Sequence, residues 1–150
     1  MTCLTSLLEL INYGFVLFFG IVIALYLADI QFEDNQTPYI ASILILGAVQ
    51  LLFYLIMGEN LLYKCYPLLI HLPLILLIRF AFHRNIYIAT ISVLSAYLMC
   101  TPRKWFGTLA ASFFHGSPIV SNLVSICVTI PLLCLVIRFI APYFIRLKYE

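Results

Sequence analysis

Charge is what this 150-residue sequence has least of: 9% of its residues are Asp, Glu, Lys or Arg, against about 25% in a soluble domain. With 65% apolar residues and a mean hydropathy of +1.12, the chain could not cover the surface of a water-soluble globule. The low hydrophobicity and high net charge of a disordered chain are missing as well. Basic residues are absent from residues 1–63, which hold five acids, and all eight Lys and Arg lie in residues 64–150 beside Glu150. No basic n-region opens the chain, so the first apolar stretch is expected to stay as a helix and not to be cleaved as a signal peptide.

Catalytic patterns are lacking too. There is no Gly-rich phosphate loop, no H-E-x-x-H, no G-x-S-x-G and no carboxylate pair inside an apolar run. The five cysteines (Cys3, Cys65, Cys100, Cys127, Cys134) form no C-x-x-C pair and no regular spacing, so a disulfide framework is not expected. Cys127 and Cys134, seven apart, share a helix face and read as small apolar packing. Cys65 and His71 are six apart and diverge around a helix, which speaks against cysteine-peptidase chemistry. The expectation is a chain with no enzymatic activity, no metal and no cofactor. Its dispersed basic residues predict no nucleic-acid partner. Asn35-Gln36-Thr37 fits a glycosylation triplet, relevant only in a eukaryotic secretory pathway.

What is present is a succession of apolar runs. A span needs about 20 apolar residues, and five runs come near that length: 11–28, 40–57, 61–82, 86–100 and 119–142. Between the fourth and fifth, residues 105–114 form a ten-residue apolar stretch. As a helix it would reach only ~15 Å, half the hydrocarbon thickness, and it is predicted to be interfacial or re-entrant. Backbone groups in lipid must satisfy one another, so helices are expected throughout. The fold class is therefore all-α: a polytopic membrane helical bundle with about five transmembrane helices plus one short helix. The whole chain, 1–150, reads as a single transmembrane domain of the bacterial cytoplasmic membrane, with the lipid bilayer as its first partner.

Five spans with the N-terminus outside put Arg79, Arg84, Arg138, Arg146 and Lys148 on the cytoplasmic side. Lys64, Arg103 and Lys104 then lie outside, a division of five to three that favours this orientation. If residues 105–114 crossed as well, six spans with both ends inside would divide the same charges six to two. That arrangement has the better charge score and the worse helix length. Trp105 beside Arg103 and Lys104 reads as a headgroup anchor.

The third run concentrates the polar groups. Lys64 and His71 are seven apart and nearly on one helical face, with Pro67 close to the same stripe. Pro67 and Pro73 each remove a backbone donor, freeing the carbonyls of Tyr63 and Leu69 and kinking the helix. His71 reads either as a ligand contact or switch element, or as a donor to a neighbouring helix with Lys64 reaching for the interface; the packing reading has the greater weight. Gln50 with Tyr54, Ser92 with Ser95, and Asn122 with Ser125 and Thr129 form uncharged polar stripes. Those stripes, like the Gly107/Ala111 pair, are expected mainly to let helices approach and hydrogen-bond. The candidate ligand or relay residues are therefore His71, Lys64, Pro67, Pro73, Gln50 and Asn122.

Two stretches taken together carry a resemblance. Tyr66-Pro67-Leu-Leu-Ile-His71-Leu-Pro73 is followed by Ala96-Tyr97-Leu-Met-Cys100-Thr-Pro102-Arg-Lys104-Trp105-Phe-Gly107, and Asn12-Tyr13-Gly14 sits early in the first run. This pattern resembles the multi-span sensor region of bacterial GHKL-type sensor histidine kinases, those related to peptide quorum-sensing receptors. The resemblance implies a polytopic region that detects a peptide or small-molecule signal and passes it to a dimerisation helix and a kinase domain. The chain ends at Tyr149-Glu150 with no phospho-acceptor helix, ATP-binding Asn box or Gly-rich lid, so the expectation is a sensing module lacking the kinase domain, assembled as a homodimer. The alternatives are a small transporter or channel subunit, with Lys64, His71, Gln50 and Asn122 lining a path, and an assembly protein with no chemistry of its own.

Overall fold

The computed structural model describes residues 3–149; the side chains of residues 3, 59, 60, 62, 63 and 147–149 are outside that description, and so are the expectations that fall on Cys3, Lys148 and Glu150. Helix α1 runs Cys3–Leu27, α2 Gln36–Met57, α3 Glu59–Tyr66, α4 Leu72–Phe80, α5 Ile86–Phe113, α6 Pro118–Leu135 and α7 Ala141–Tyr149. Two five-residue π turns, Pro67–His71 and Val136–Ile140, join α3 to α4 and α6 to α7 without a break. The described residues are thus helical with no strand, arranged as five rods. Four helices among the described residues are long and apolar enough to cross a membrane: Leu4–Leu27, Gln36–Met57, Ile86–Phe113 and Pro118–Arg146.

The π turns share a local cause. Each ends two residues before a proline, Pro73 in one case and Pro142 in the other. Proline lacks the N–H that would continue the ladder, and its ring clashes with the carbonyl four residues back. Widening the preceding turn relieves both. Leu72 N–H bonds the Pro67 carbonyl and Ala141 N–H bonds the Val136 carbonyl, each five residues back. The extra residue also spoils the even seven-residue register between Lys64 and His71: Lys64 is exposed while His71 turns half inward.

The expected break after Cys100 is absent. Residues 86–100 and 105–114 belong to one 28-residue helix, α5, which passes through Pro102. At 1.5 Å per residue it is about 42 Å long, enough to span the hydrocarbon and emerge. Pro102 leaves only the Leu98 carbonyl without its helical donor, and packing on both flanking helices holds the rod together. Asn85 caps its start, the side-chain oxygen accepting from Tyr87 N at 3.1 Å.

The rods alternate in direction. Arg84, in the loop before α5, donates to the Asp29 carbonyl in the loop after α1 and lies 3.5 Å from the Asp29 carboxylate. These two loops therefore share one end of the bundle, the Asp29 end. Gly58 and the turn at residues 114–117 mark the other, the Gly58 end. Helix α1 is central: Phe19, Ile21, Ile23, Ala24 and Leu25 are fully buried. α1, α5 and α6 pack on one another most extensively. α2 is peripheral and buries only the narrow stripe Tyr39, Ser42, Leu46 and Gln50. Its outer face exposes Leu44, Leu52, Leu55 and Ile56, the pattern of a lipid-facing helix, since hydrocarbon is as apolar as leucine.

Candidate functional site: a buried arginine network beside an aromatic cleft

Along α5 the buried positions Ala89, Ser92, Val93, Ala96, Arg103, Gly107 and Ala111 recur at helical spacing. Except at Val93 and Arg103 they are small, which lets neighbouring helices approach closely. The approach is tightest at Gly107. A Cβ there would overlap the Ser125 hydroxyl and stand 2.6 Å from the Ser121 carbonyl, so the α5–α6 crossing admits only glycine.

Arg103 sits in this small-residue seam, 2% exposed. It was expected at the headgroups with Trp105 and Lys104; those two are exposed, but Arg103 faces the opposite way, into the bundle. The reason is register: 96, 100, 103 and 107 fall on one helical face, and the small residues around it leave room for the guanidinium. Its Nη1 donates to Thr129 Oγ1 at 2.8 Å. Its Nη2 donates to Asn12 Oδ1 and, at 3.4 Å, to the Asn12 carbonyl. Asn12 Nδ2 in turn donates to Asn122 Oδ1 at 2.6 Å, and the Thr129 hydroxyl donates to the Ser125 carbonyl at 2.8 Å. Three helices are joined by one polar knot whose acceptors are all neutral. Among the described residues the ion pair formed is Arg84–Asp29, at the far end. The phenol of Tyr66 and the thiol of Cys100 lie within electrostatic reach of Arg103.

Tyr66 and Cys100 also line a cleft of about 80 Å³ between α1, the first π turn and α5. Its other walls include Val16, Gly20, Ile70, Leu74 and Ala96. Three rings form an edge-to-face row at the cleft: Tyr66 and His71 with centroids 5.3 Å apart, His71 and Tyr97 5.0 Å apart. Tyr13 extends the row, 6.1 Å from Tyr66. Such perpendicular pairs are the favoured aromatic geometry. Among the described residues no three His, Cys, Asp or Glu side chains gather as a metal site.

The candidate residues are therefore only partly brought together. His71 lines the cleft and Asn122 belongs to the knot. Pro67 opens the π turn and Pro73 follows it. Lys64 is exposed and stands apart from His71. Gln50 is 3% exposed on α2, with neither amide atom hydrogen-bonded among the described residues. Sequence reasoning missed Arg103, Asn12, Tyr66, Tyr97 and Cys100 as site residues. The signal was the small-residue register of α5, obscured by treating Pro102 as a helix break.

The polar groups are unevenly placed along the bundle axis. Asn12, Arg103, Asn122 and Gln50 all lie in the half toward the Gly58 end. The half toward the Asp29 end is filled by Phe19, Ile21, Ile23, Leu25, Ile78, Val93 and Val136, all nearly or fully buried. The buried polar groups there are hydroxyls: Tyr39 donates to the Val22 carbonyl, Ser42 to the Pro38 carbonyl, and Ser92 has no partner among the described residues.

No family model, curated protein or solved structure matches this chain.

Proposed function

We propose that this chain is a membrane-embedded signal-sensing module, of the kind that the resembled sensor kinases place ahead of their catalytic domain. Its five rods are five crossings, the third being the rod from 59 to 80, about 33 Å long at 1.5 Å per residue. The Asp29 end faces the cytoplasm. Arg79, Arg84, Arg138 and Arg146 lie toward that end, against Lys64 and Lys104 at the other, because Arg103 is interior and drops out of the count.

The observation that carries the reading is the axial asymmetry. The amides and the guanidinium occupy the outer half; the aromatic cleft begins at Tyr66 and Cys100 and closes at Ile21 and Val93, beyond which Ile23, Leu25, Ile78 and Val136 form a packed apolar plug. A transport path needs polar groups or water through both halves; a receptor needs a polar site open to one side and helices that carry the change onward. The two π turns supply flexible points in the rods that would carry it, since wide turns of this kind recur at functional sites.

The test uses the full chain in liposomes, freed of native cysteines and labelled with a fluorophore through Tyr143→Cys on α7. Conditioned medium of the source cells, applied to the Gly58 side, should shift the label, and the same medium on the other side should not. Ion or solute flux above that of empty vesicles would overturn the reading in favour of a transporter.

A further inference from the structure

We propose that Arg103 and the adjoining cleft form a binding site for a small anionic amphiphile: a carboxylate or phosphate at the guanidinium, and a short apolar tail between α1, the first π turn and α5. This deepens the sensing role proposed above and rests on it for its outward-facing orientation.

A guanidinium within a membrane domain is costly unless it is paired. Arg103 is buried and its bonds go to an amide oxygen, a carbonyl and a hydroxyl, so its positive charge has no counter-charge among the described residues. The group carries five N–H donors in a planar fork suited to carboxylate and phosphate. Nη1 and Nη2 make all three of its hydrogen bonds among the described residues, which leaves donors over. Cys100, one turn before Arg103 on the same face of α5, lines the cleft, so an anion at the head of the cleft would meet those donors.

Depth favours an occupant from outside. Asn122 lies four residues into α6, about 6 Å of helix rise below its start. The knot therefore begins near the outer headgroups at Asn122 and reaches inward to Arg103, about 15 Å of rise from the outer end of α5, and the cleft lies deeper still, at Gly20 on α1 and Ala96 on α5. A head at Arg103 and a tail toward Ala96 match that order. The volume bounds the tail: 80 Å³ is about half of the ~150 Å³ that admits benzene, so a few carbons fit and a drug-sized body does not.

The experiment is calorimetric titration of the full chain in phosphatidylcholine nanodiscs with sodium hexanoate, hexanol and inorganic phosphate. Hexanoate should bind saturably, with hexanol at least tenfold weaker. Arg103→Met should weaken hexanoate at least tenfold. Ala96→Leu, which fills the cleft, should weaken hexanoate and leave phosphate unchanged. If Arg103→Met does not fold, Asn12→Asp places a carboxylate beside the guanidinium and should produce the same loss. A second arm replaces phosphatidylcholine by phosphatidylglycerol. Enrichment of that lipid by wild type over the Arg103 variant, with loss of hexanoate binding, identifies a lipid phosphate as the anionic occupant. Equal binding of hexanoate and hexanol, or unaltered hexanoate binding by Arg103→Met, overturns the site. So does the absence of both hexanoate binding and lipid enrichment. Hexanoate binding with a silent Tyr143→Cys label would leave the site standing and remove the sensing role; a label that responds to medium without hexanoate binding would do the reverse.

Discussion

Asn12 and Asn122, 110 residues apart in sequence, meet across α1 and α6 with Nδ2 of the first 2.6 Å from Oδ1 of the second. That bond fixes which way the Asn12 amide points. Its nitrogen is given to Asn122, so its oxygen is turned to Arg103. One side chain thus orients both an amide and a guanidinium, and the central helix is pinned to the two that flank it.

Removing the pin should be costly. Asn12→Leu strips Arg103 of its side-chain amide acceptor, leaving the Asn12 backbone carbonyl, and Asn122 of its donor. The expected loss is about 1–3 kcal/mol, that of leaving a buried polar group unpaired, and more if the guanidinium cannot reorganise. Asn12→Asp should retain most of the stability by pairing the charge. Denaturant unfolding in bicelles compares the two.

Gly107 and Gly14 form a paired test of helix approach. A side chain at Gly107 must displace Ser121 and Ser125, whereas one at Gly14 meets nothing within 4 Å. Gly107→Val should destabilise by about 1–3 kcal/mol through overpacking, and Gly14→Ala should stay within about 0.5 kcal/mol of wild type. Thermal unfolding with α5–α6 cross-linking reads both.

The Gln50 amide has no hydrogen-bond partner among the described residues and sits in a buried stripe of α2. Replacement by an apolar residue of similar length removes the desolvation cost and should stabilise. Gln50→Leu is expected to add about 1–3 kcal/mol. A fall in stability would show that the amide holds a partner in the membrane.

The π turn at Pro67–His71 depends on Pro73. Pro73→Ala restores a donor, so the turn should tighten to α-helical bonding and rotate His71 away from Tyr97. Distance measurements between spin labels at Lys64→Cys and Leu76→Cys should then lengthen by roughly the 1.5 Å rise of one residue, with a turn in azimuth. An unchanged distance distribution would mean that packing alone maintains the wide turn.

A continuous α5 makes a topological statement. Cysteines at His83 and His115, one beyond each end of that helix, should be labelled from opposite sides of intact cells. Labelling from the same side would return the chain to six crossings.

Much of this architecture could be read directly from residues. The helical class follows from apolar run lengths, and the rod 59–80 was visible in spite of Lys64 and two prolines. The hydroxyl stripe Ser125–Thr129 could be located because helical periodicity depends only on spacing. The site was less legible for a physical reason. Whether Arg103 points to lipid or to the core is set by its azimuth relative to Ala96, Cys100 and Gly107, and that azimuth is defined only if the helix runs through Pro102. A proline marks a lost hydrogen bond; whether the helix ends there depends on the packing of α1 and α6 against it. Asn12 was equally hidden, since its partners are 91 and 110 residues away.

The wide turns carry one further consequence, concerning chain length. A turn closed over five residues holds one residue more than the α-helical turn it replaces. Either segment, 67–71 or 136–140, could lose a single residue and close as ordinary α-helix, with the rods above and below keeping their faces toward the same neighbours. Elsewhere in these helices a one-residue deletion would swing every later side chain by about 100°. These two places are therefore where the protein can shorten without losing its interior.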